Sequence, residues 1–534
     1  MSTRRRKLWG WGFEGDGPDE RALAFAEASL SALFGRVPTR RTPPEAGEIR
    51  LREPRCRVPA HLEHIVTSTP DERALHALGR SYRDLARASR GRFDHPPDLV
   101  AYPESEADIV RLLDAAQQHD IAVIPFGGGT SVSGGVEPEV GDRFAGAMSI
   151  DLGKLSRVVE VDRTSLAARI EAGAAGPAIE AALRMQDLTL RFFPQSFELS
   201  TLGGWIVTRA GGHFATGPTH IDDLVESVRV VTPSGTIATR RLPGSGAGPQ
   251  PERLIAGSEG TLGIVTEAWV RIFARPTHRS AATLSFPSWD RGTAALRAIL
   301  QAGHLPTNAR LLDGPEAIMS GSGPGDSTLL LLAFESADHD TAHLMAGPLD
   351  IARQHGGTGE VRSTSAGGTG REATADTYKS AFFRAPYLRD ELVLRGVFAE
   401  TYETAVLWKD LERLDQAVRQ AIDAIDLGPK LVACRITHAY RDGCAPYYTV
   451  ICPAPEADGG LALWSELKAA ITGAIVASGG TSTHHHAVGR DVVPWYEAER
   501  PDLFESALRG AKQALDPRGV MNPGVLFRDA ARRS

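Results

Sequence analysis

Three consecutive glycines at the end of an apolar run are the first feature of this sequence that could do chemistry. Gly127–Gly129 follow the run 121–126 and precede Thr130 and Ser131. Glycines let backbone N–H groups approach an anion closely, so a phosphate or pyrophosphate is the natural ligand of such a loop. A P-loop would need a following Gly-Lys-Ser/Thr, and the GxGxxG pattern of dinucleotide-binding folds fails at Val132. Taken alone, the loop is equally compatible with a turn that holds no ligand.

Two later segments repeat this combination of glycine with hydroxyl side chains. Residues 195–212 read QSFELSTLGGWIVTRAGG, and residues 256–268 read AGSEGTLGIVTEA. Three such segments within one stretch of mixed helix and strand pattern indicate that they converge on a single long ligand with several phosphate and carbonyl groups.

A run of three histidines, His484–His486, is a second group with chemical potential. On a strand, His484 and His486 would share one face and His485 would take the other, so the three could not easily bind one metal ion. No nearby carboxylate or cysteine completes a ligand set, and we therefore predict no metal site. An imidazole here could instead take up a proton near pH 7.

These groups must be positioned by a mixed fold of helices and strands. Strand, helix and strand follow one another within 98–126, with Ser105 as the helix N-cap, and they form a βαβ unit. The predicted apolar face of this helix comprises Ile109, Leu112, Leu113 and Ala116. Short apolar runs between glycine turns then predict a second sheet, so the fold class is α+β. The glycine-rich stretch 363–379 is predicted to be a mobile loop.

Length, composition and charge exclude several classes of protein. The chain has 534 residues, 42% of them hydrophobic, and is too long for one ordinary domain. A net charge of -7 argues against nucleic-acid binding, and the basic run 4–7 is interpreted as a solvated tail. Four cysteines without a CxxC pair favour a reducing compartment, and no apolar run is long enough to cross a bilayer.

The three glycine-containing segments, together with the closing LDPRGVMNPG, resemble the FAD-contacting segments of the vanillyl-alcohol-oxidase (PCMH-type) flavoproteins. The resemblance implies a PCMH-type FAD-binding domain over 95–275 and a cap, or substrate, domain over 276–490. It also implies a C-terminal segment, 491–534, that returns to the FAD domain, while 1–94 form a helical N-terminal extension. Because the first glycine loop holds no His or Cys, we expect non-covalent FAD. The implied cofactor-binding residues are Pro125, Phe126, Gly127, Gly128, Gly129, Thr130, Ser131, Gln195, Ser196, Glu198, Ser200, Thr201, Gly204, Thr208, Arg209, Ala210, Gly211, Glu259, Gly260, Thr261, Gly263, Ile264 and Val265.

Further segments resemble one branch, the alkyldihydroxyacetonephosphate (alkylglycerone-phosphate) synthase family. They include KLWGWG, NARLLDG, PYLRD, CRITHAYRDGCAPYY and GGTSTHHHAVGR. The resemblance implies exchange of the acyl group of acyl-dihydroxyacetone phosphate for a fatty alcohol, with FAD as an electron sink and no net redox. It further implies lipid-like phosphate ester and fatty alcohol substrates, a homodimer and peripheral membrane contact. The chain ends in ARRS rather than SKL, so we expect a cytoplasmic relative of the peroxisomal members.

The same resemblance assigns the catalytic and substrate-binding residues. It places the catalytic tyrosine at Tyr447, with Tyr448 as the alternative if the register is shifted by one, and it makes His484, His485 and His486 part of the active site. Arg389 in PYLRD is implied to hold the substrate phosphate by a bidentate fork. Arg310 matches another functional arginine, although a structural contact between Arg310 and Asp313 would explain it equally well.

A D-2-hydroxyacid (D-lactate-type) dehydrogenase is the main alternative function. It would carry the same glycine loops and a histidine before a turn, as in His486 to Gly489, and its flavin would accept a hydride. The full histidine triplet, Tyr447 and PYLRD favour the synthase. A flavin-binding protein without activity is a weaker alternative, because it gives these residues no role.

Overall fold

The computed structural model describes residues 4–364 and 373–528. The helices are α1 (Glu20–Phe34), α2 (Pro70–Leu75), α3 (Tyr82–Ala88), α4 (Glu106–Gln118), α5 (Gly176–Arg184), α6 (Leu202–Thr208), α7 (Pro251–Ile255), α8 (Trp289–Gln301), α9 (Gly314–Met319), α10 (Ala342–Gln354), α11 (Ala373–Leu394), α12 (Leu411–Asp423), α13 (Leu461–Ala477), α14 (Val493–Glu499) and α15 (Asp502–Leu515). The strands are β1 (Val66–Thr67), β2 (Leu99–Ala101), β3 (Ile121–Phe126), β4 (Gly146–Asp151), β5 (Val158–Asp162), β6 (Ala167–Glu171), β7 (Leu188–Thr189), β8 (Val225–Thr232), β9 (Gly235–Ala238), β10 (Ile264–Arg271), β11 (Phe273–Ala274), β12 (His278–Phe286), β13 (Asn308–Leu312), β14 (Thr328–Ser336), β15 (Thr358–Thr364), β16 (Val397–Glu403), β17 (Val406–Leu407), β18 (Leu431–Ala439) and β19 (Gly443–Pro453).

The first sheet has the strand order β1-β2-β4-β3, and β2 and β3 both run parallel to β4. Helix α4 connects β2 to β3 as predicted, because its apolar face is buried and the Ser105 side chain accepts a hydrogen bond from the Asp108 N–H. This βαβ arrangement delivers the glycine loop to the end of β3, where the chain leaves the sheet.

The second sheet is antiparallel, in the order β5-β6-β10-β8-β9, and it shares one hydrophobic core with the first. The chain returns to the first sheet near its end. Met521 pairs in parallel with Val123, whose N–H donates to the Val520 carbonyl. The two glycine-containing segments after the first therefore lie on a scaffold that is continuous with the first loop.

The third sheet has eight strands in the order β15-β12-β14-β13-β18-β19-β16, with β17 paired to β19. Its pairings are antiparallel, and α8, α10, α12 and α13 contribute to a second hydrophobic core with it. Mixed helices and sheets of this kind are the predicted α+β class. The prediction of a mobile loop over 363–379 is wrong at both ends, because β15 extends to Thr364 and α11 begins at Ala373. Residues 365–372 lie outside the described part of the chain.

Residues 4–94 contain helices α1, α2 and α3, joined by extended segments and turns. Helix α3 packs beside α11 and α13, so this part of the chain contacts the third sheet and its helices. Over the described ranges 4–364 and 373–528, no helix combines the length and apolar character that crossing a bilayer requires.

Candidate active site

A cavity of about 1400 Å³, which includes its opening to solvent, lies between the glycine loops and the third sheet. Most of the predicted cofactor residues line this cofactor cavity. They are Pro125, Gly127, Gly128, Gly129, Thr130, Ser131, Gln195, Ser196, Ser200, Thr201, Gly204, Thr208, Ala210, Gly211, Glu259 and Gly260. All three glycine-containing segments therefore meet at one space, as their combination predicts.

The glycine loop can take no side chains where it faces the next segment. A Cβ on Gly128 would lie 2.1 Å from the Leu199 carbonyl oxygen, and one on Gly127 would lie 2.4 Å from the Thr201 hydroxyl. Gly129 has a φ of +66°, which glycine adopts without strain. The backbone is thus packed close and exposed toward the cavity, as a cradle for a pyrophosphate requires, and the residues present fit FAD.

Glu259 connects the third glycine-containing segment to the C-terminal segment and to the loop that carries His484–His486, here called the histidine loop. Its buried carboxylate accepts hydrogen bonds from the Val488 and Gly489 N–H groups at 2.9 and 2.8 Å. Burial raises its pKa to about 7, although the two N–H groups oppose the shift. The Asn522 amide donates to the Glu259 carbonyl at 2.7 Å and also lines the cavity, a position that sequence reasoning left unassigned.

The remaining predicted cofactor residues do not line the cavity, and their direct contact with FAD stays a prediction. Glu198 accepts a hydrogen bond from the Tyr387 hydroxyl, and Arg209 pairs with Asp222 near the surface. The others are buried behind the lining, where Gly263 packs on the Val231 carbonyl. They are Phe126, Thr261, Gly263, Ile264 and Val265. Sequence likeness could not separate lining residues from those that support them.

Tyr447 faces the cofactor cavity, and Tyr448 does not. Both lie on β19, where successive side chains point to opposite faces. The Arg435 guanidinium lies 3.9 Å from the centre of the Tyr447 ring, whereas the Tyr448 hydroxyl donates to Asp415 on the core side. The alternative assignment to Tyr448 is therefore wrong. Burial raises the pKa of Tyr447 above its usual value, and the charge of Arg435 opposes that shift.

The histidine triplet lies in a loop rather than on a strand, which corrects the predicted alternation. The loop wraps around the carboxylate of Glu403, at the end of β16. That carboxylate accepts hydrogen bonds from the N–H groups of His484 at 2.7 Å, His485 at 3.2 Å and His486 at 3.1 Å. It also accepts one from the Thr483 hydroxyl at 2.5 Å. Three successive N–H groups around an anion hold the loop in one conformation.

His485 and His486 line the cavity, and His484 lies behind them. His484 Nε2 is 2.7 Å from the Tyr440 hydroxyl, and the predicted catalytic role of His484 stays a prediction. Burial lowers the pKa of His485 well below 6.5 and also lowers that of His486, where Glu403 opposes the shift. Both imidazoles are neutral near pH 7 and can accept a proton.

The structure contradicts both reasons for predicting no metal site, because the triplet is not on a strand and a carboxylate lies nearby. His438 joins the triplet, and ring nitrogens of His438, His484 and His485 lie within 4.8 Å of one another. The Glu403 carboxylate is also close, at 3.3 Å from His485 Nδ1. These nitrogens already have partners, however. His438 Nε2 is 3.0 Å from the Gly212 carbonyl, and the Nδ1 atoms of His484 and His485 are 2.9 Å apart, so a metal would have to displace these contacts.

Three arginines line the cavity. Arg389, on α11, donates to the Arg80 carbonyl at 2.6 Å and is half-buried. Arg310 is buried on β13 and donates to the His213 carbonyl at 2.7 Å, while the Asp313 carboxylate caps α9. Arg435, which sequence reasoning missed, donates to Glu316 at 2.8 Å. The only sequence signal for Arg435 was its place in the CRITHAY segment.

A second, apolar cavity of about 1830 Å³, including its opening, meets the first. Its walls are α1, α9, α11 and the face of the third sheet, and they carry Phe25, Leu30 and Leu33. The two cavities share six lining residues, which are Gln195, Phe382, Pro386, Arg389, Arg435 and Tyr447. The reactive side chains thus stand where the cavity that suits a cofactor opens into the apolar cavity.

Convergent glycine segments, a returning C-terminal segment and a capping antiparallel sheet define an FAD-binding flavoprotein of the vanillyl-alcohol-oxidase type. Comparison with known proteins agrees. The family model "FAD binding domain" matches residues 97–240, and "FAD linked oxidases, C-terminal domain" matches residues 275–526.

Curated relatives narrow this class to one family. Alkyldihydroxyacetonephosphate synthases of Dictyostelium discoideum and Trypanosoma brucei brucei are each 31% identical, over 85% of this chain and 77% of the relative. A solved structure of alkyldihydroxyacetonephosphate synthase superposes with a TM-score of 0.79 at 26% identity, covering 97% of both chains. The chain belongs to the alkyldihydroxyacetonephosphate synthase family.

Proposed function

We propose that this chain is an FAD-dependent alkylglycerone-phosphate synthase, which replaces the acyl group of acyl-dihydroxyacetone phosphate with a fatty alcohol and causes no net redox. One observation carries the proposal. The apolar cavity ends at Tyr447, Arg389 and Arg435, where it opens into the cofactor cavity. A long alkyl or acyl chain would fill the apolar space while its polar end reaches the reactive residues.

The arginines at the junction give the substrate its orientation. A guanidinium can hold a phosphate by two parallel N–H donors, and the position of Arg389 in the lining of both cavities supports this role. Arg435 lies over the ring of Tyr447, and Arg310 lies further along the same wall. The phosphate end is thereby fixed while the chain extends into the apolar cavity.

Exchange of a carboxylate for an alkoxide at a carbon next to a ketone needs two proton movements. One group must move a proton at that carbon, and another must take the proton of the incoming alcohol. Tyr447 holds the first proton at its hydroxyl, and the neutral imidazoles of His485 and His486 accept the second. FAD, when it is bound by the glycine loops, supplies the electron sink. We propose non-covalent binding, which predicts that acid precipitation releases the yellow chromophore.

The D-2-hydroxyacid dehydrogenase alternative is weaker. A small hydroxyacid would not fill an apolar cavity of this size, and membership of the synthase family favours the synthase activity. Incubation with palmitoyl-dihydroxyacetone phosphate and hexadecanol should give hexadecyl-dihydroxyacetone phosphate by mass spectrometry. Bleaching of the flavin by D-lactate or D-2-hydroxyglutarate under anaerobic conditions, without any ether product, would contradict the proposal.

Three finer points belong to the same proposal. Phe25 and Ile318 are 44% and 45% exposed at the apolar cavity, so we propose that its rim makes peripheral membrane contact. Sedimentation with phosphatidylcholine vesicles tests this contact, with Phe25→Ser as the variant that weakens it.

A homodimer and a cytoplasmic location are proposed from the family resemblance. Analytical ultracentrifugation tests the homodimer, and cell fractionation tests the location.

A further inference from the structure

The KLWGWG segment carries part of the family resemblance, yet the function proposed above gives it no role. Residues 6–12, here called the N-terminal strap, lie outside both matched regions, 97–240 and 275–526. Even so, Trp11 is only 4% exposed and lines the cofactor cavity. A large aromatic side chain from the beginning of the chain thus forms part of a wall that the two family models do not include.

One end of the strap is docked on helix α11, on both sides of Arg389. The Trp11 N–H donates to the Asp390 carboxylate at 2.5 Å. Gly10 has a φ of +79° and a Cβ there would lie 2.6 Å from that carboxylate. Gly12 has a φ of +89°, and a Cβ would lie 2.7 Å from the Tyr387 ring. Two glycines therefore allow a contact that no other residue type would permit.

The other end is docked on the glycine loop. Arg6 donates to the Gly127 carbonyl at 3.2 Å and pairs with the buried Asp151 at 2.8 Å, so its interpretation as part of a solvated tail is wrong. Between the two ends, the Lys7 carbonyl accepts a hydrogen bond from the buried Arg80 side chain at 3.1 Å. The strap therefore spans the edge of the cofactor cavity from the glycine loop to α11.

Arg80 connects the strap and the glycine loop to Arg389 through hydrogen bonds. The Arg80 N–H donates to the Ser131 carbonyl, and the Arg80 carbonyl accepts from Arg389, both at 2.6 Å. Arg389 is thus held by a backbone segment that is itself fixed between the strap and the glycine loop. A guanidinium recognises phosphate well only if its fork is fixed before the ligand arrives, because immobilising a free arginine costs binding energy.

We infer that the N-terminal strap is part of the substrate site, where it positions Arg389 for the substrate phosphate and contributes Trp11 to the wall beside it. This inference rests on the proposed function. Trp11 supplies a rigid aromatic surface to the cavity wall.

Two variants and one control test the inference. Gly12→Ala forces the strap away from Tyr387, and Trp11→Ala removes the wall. Trp9→Phe is the matched control, because Trp9 packs against a separate small cluster and does not line the cavity. The FAD-loaded proteins are titrated with dihydroxyacetone phosphate by calorimetry, and steady-state kinetics give KM for each substrate. Thermal melting checks that the variants are folded.

We expect Gly12→Ala and Trp11→Ala to weaken dihydroxyacetone phosphate binding about tenfold or more and to raise KM for the acyl substrate similarly. KM for hexadecanol should stay unchanged, and Trp9→Phe should behave as the wild type. If both variants bind dihydroxyacetone phosphate as tightly as the wild type, the inference is overturned and the proposed function stands. If the wild type itself does not bind this ligand, the proposed function fails as well.

Discussion

The ring of Tyr447 lies nearly parallel to the ring of His485, with centroids 5.9 Å apart and an interplanar angle of 20°. His486 meets the same tyrosine edge-on at 5.5 Å. Strand β19 and the histidine loop thus bring a phenol and two neutral imidazoles to one wall of the cofactor cavity. This combination suits an exchange reaction without net redox, because the reaction moves two protons and returns the flavin to its starting oxidation state.

Removing the Tyr447 hydroxyl should stop turnover without unfolding the protein. We expect Tyr447→Phe to lower kcat by about 10³, within the range of general acid–base catalysis, and to leave FAD binding unchanged. Tyr448→Phe is the control, because its hydroxyl donates to Asp415 on the core side. The control should lose about 1 kcal/mol of stability and keep its kcat. Equal losses of kcat in the two variants would mean that the hydroxyl of Tyr447 has no chemical role.

Glu403→Gln should change the pH dependence of turnover as well as its size. Burial alone would raise the pKa of Glu403, but His486, His484 and Thr483 hold it below its usual value, so the group is anionic. Its charge favours protonated His486. Without that charge the pKa of His486 falls, and the acidic limb of the kcat/KM profile should move to lower pH.

The same variant also tests stability and has a control. Because the folded-state pKa of Glu403 is lowered, its contribution to the free energy of unfolding is present above the unfolded pKa and is lost as pH falls through the folded value. Glu403→Gln should therefore lower the melting temperature at pH 7 more than at pH 3. Glu499→Gln is the control, since Glu499 accepts from the Ser482 N–H but from none of the triplet N–H groups in the described chain. An acidic limb that stays in place would argue against a charge effect of Glu403 on the imidazoles.

Arg389→Ala should weaken recognition of the phosphate selectively. Loss of a charged, two-donor contact should raise KM for the acyl substrate on the order of 100-fold and leave KM for hexadecanol unchanged. Arg389→Lys should restore only part of this loss, because an ammonium cannot form the fork. Arg384→Ala is the control, since Arg384 pairs with Asp19 at the surface. Similar increases of KM for both substrates would place Arg389 in a general structural role.

Narrowing the apolar cavity should change chain-length preference. Thr449 is buried on the cavity side of β19, two residues beyond Tyr447 on the same face. Thr449→Phe should lower the turnover of hexadecanol relative to decanol about tenfold, because the longer chain needs the filled space. Decanol serves as the internal control for folding and chemistry. An unchanged ratio would show that the alkyl chain lies elsewhere.

Crowding the glycine loop should cost FAD affinity. Gly128→Ala places a methyl group against the Leu199 carbonyl, so the loop must shift, and the FAD dissociation constant should rise at least about tenfold. Gly510→Ala, on α15 in open space, is the matched glycine control and should bind FAD normally. Fluorescence titration with FAD measures both. Normal FAD binding by Gly128→Ala would remove this loop from the cofactor site.

Local patterns predicted the parts of the fold whose causes are local. Helix α4 follows from its N-cap Ser105 and its apolar period, and the glycine loop follows from its position at a strand end. The histidine loop does not, because its conformation is imposed by Glu403, which is distant in sequence. No periodic pattern in the sequence predicts that a carboxylate from a distant strand lies at the centre of this loop.

The site was predicted best where a residue belongs to a motif that itself touches the cavity. Arg435, His438 and Asn522 line the cavity through long-range packing, and the sequence gives them no distinctive spacing. Trp11 is similar, because only the close approach of the strap to α11 brings it there. Conversely, Ile264 and Val265 lie beside a lining segment but do not line the cavity themselves, and a contiguous motif does not reveal which side chains turn inward.

One anaerobic experiment tests the proposed exchange most directly. The FAD-loaded protein is mixed with palmitoyl-dihydroxyacetone phosphate and hexadecanol, and ether product, released palmitate and flavin absorbance are followed together. We predict one palmitate for each ether formed and fully oxidised flavin at completion. Palmitate release without ether, or lasting bleaching in proportion to turnover, would contradict an exchange without net redox.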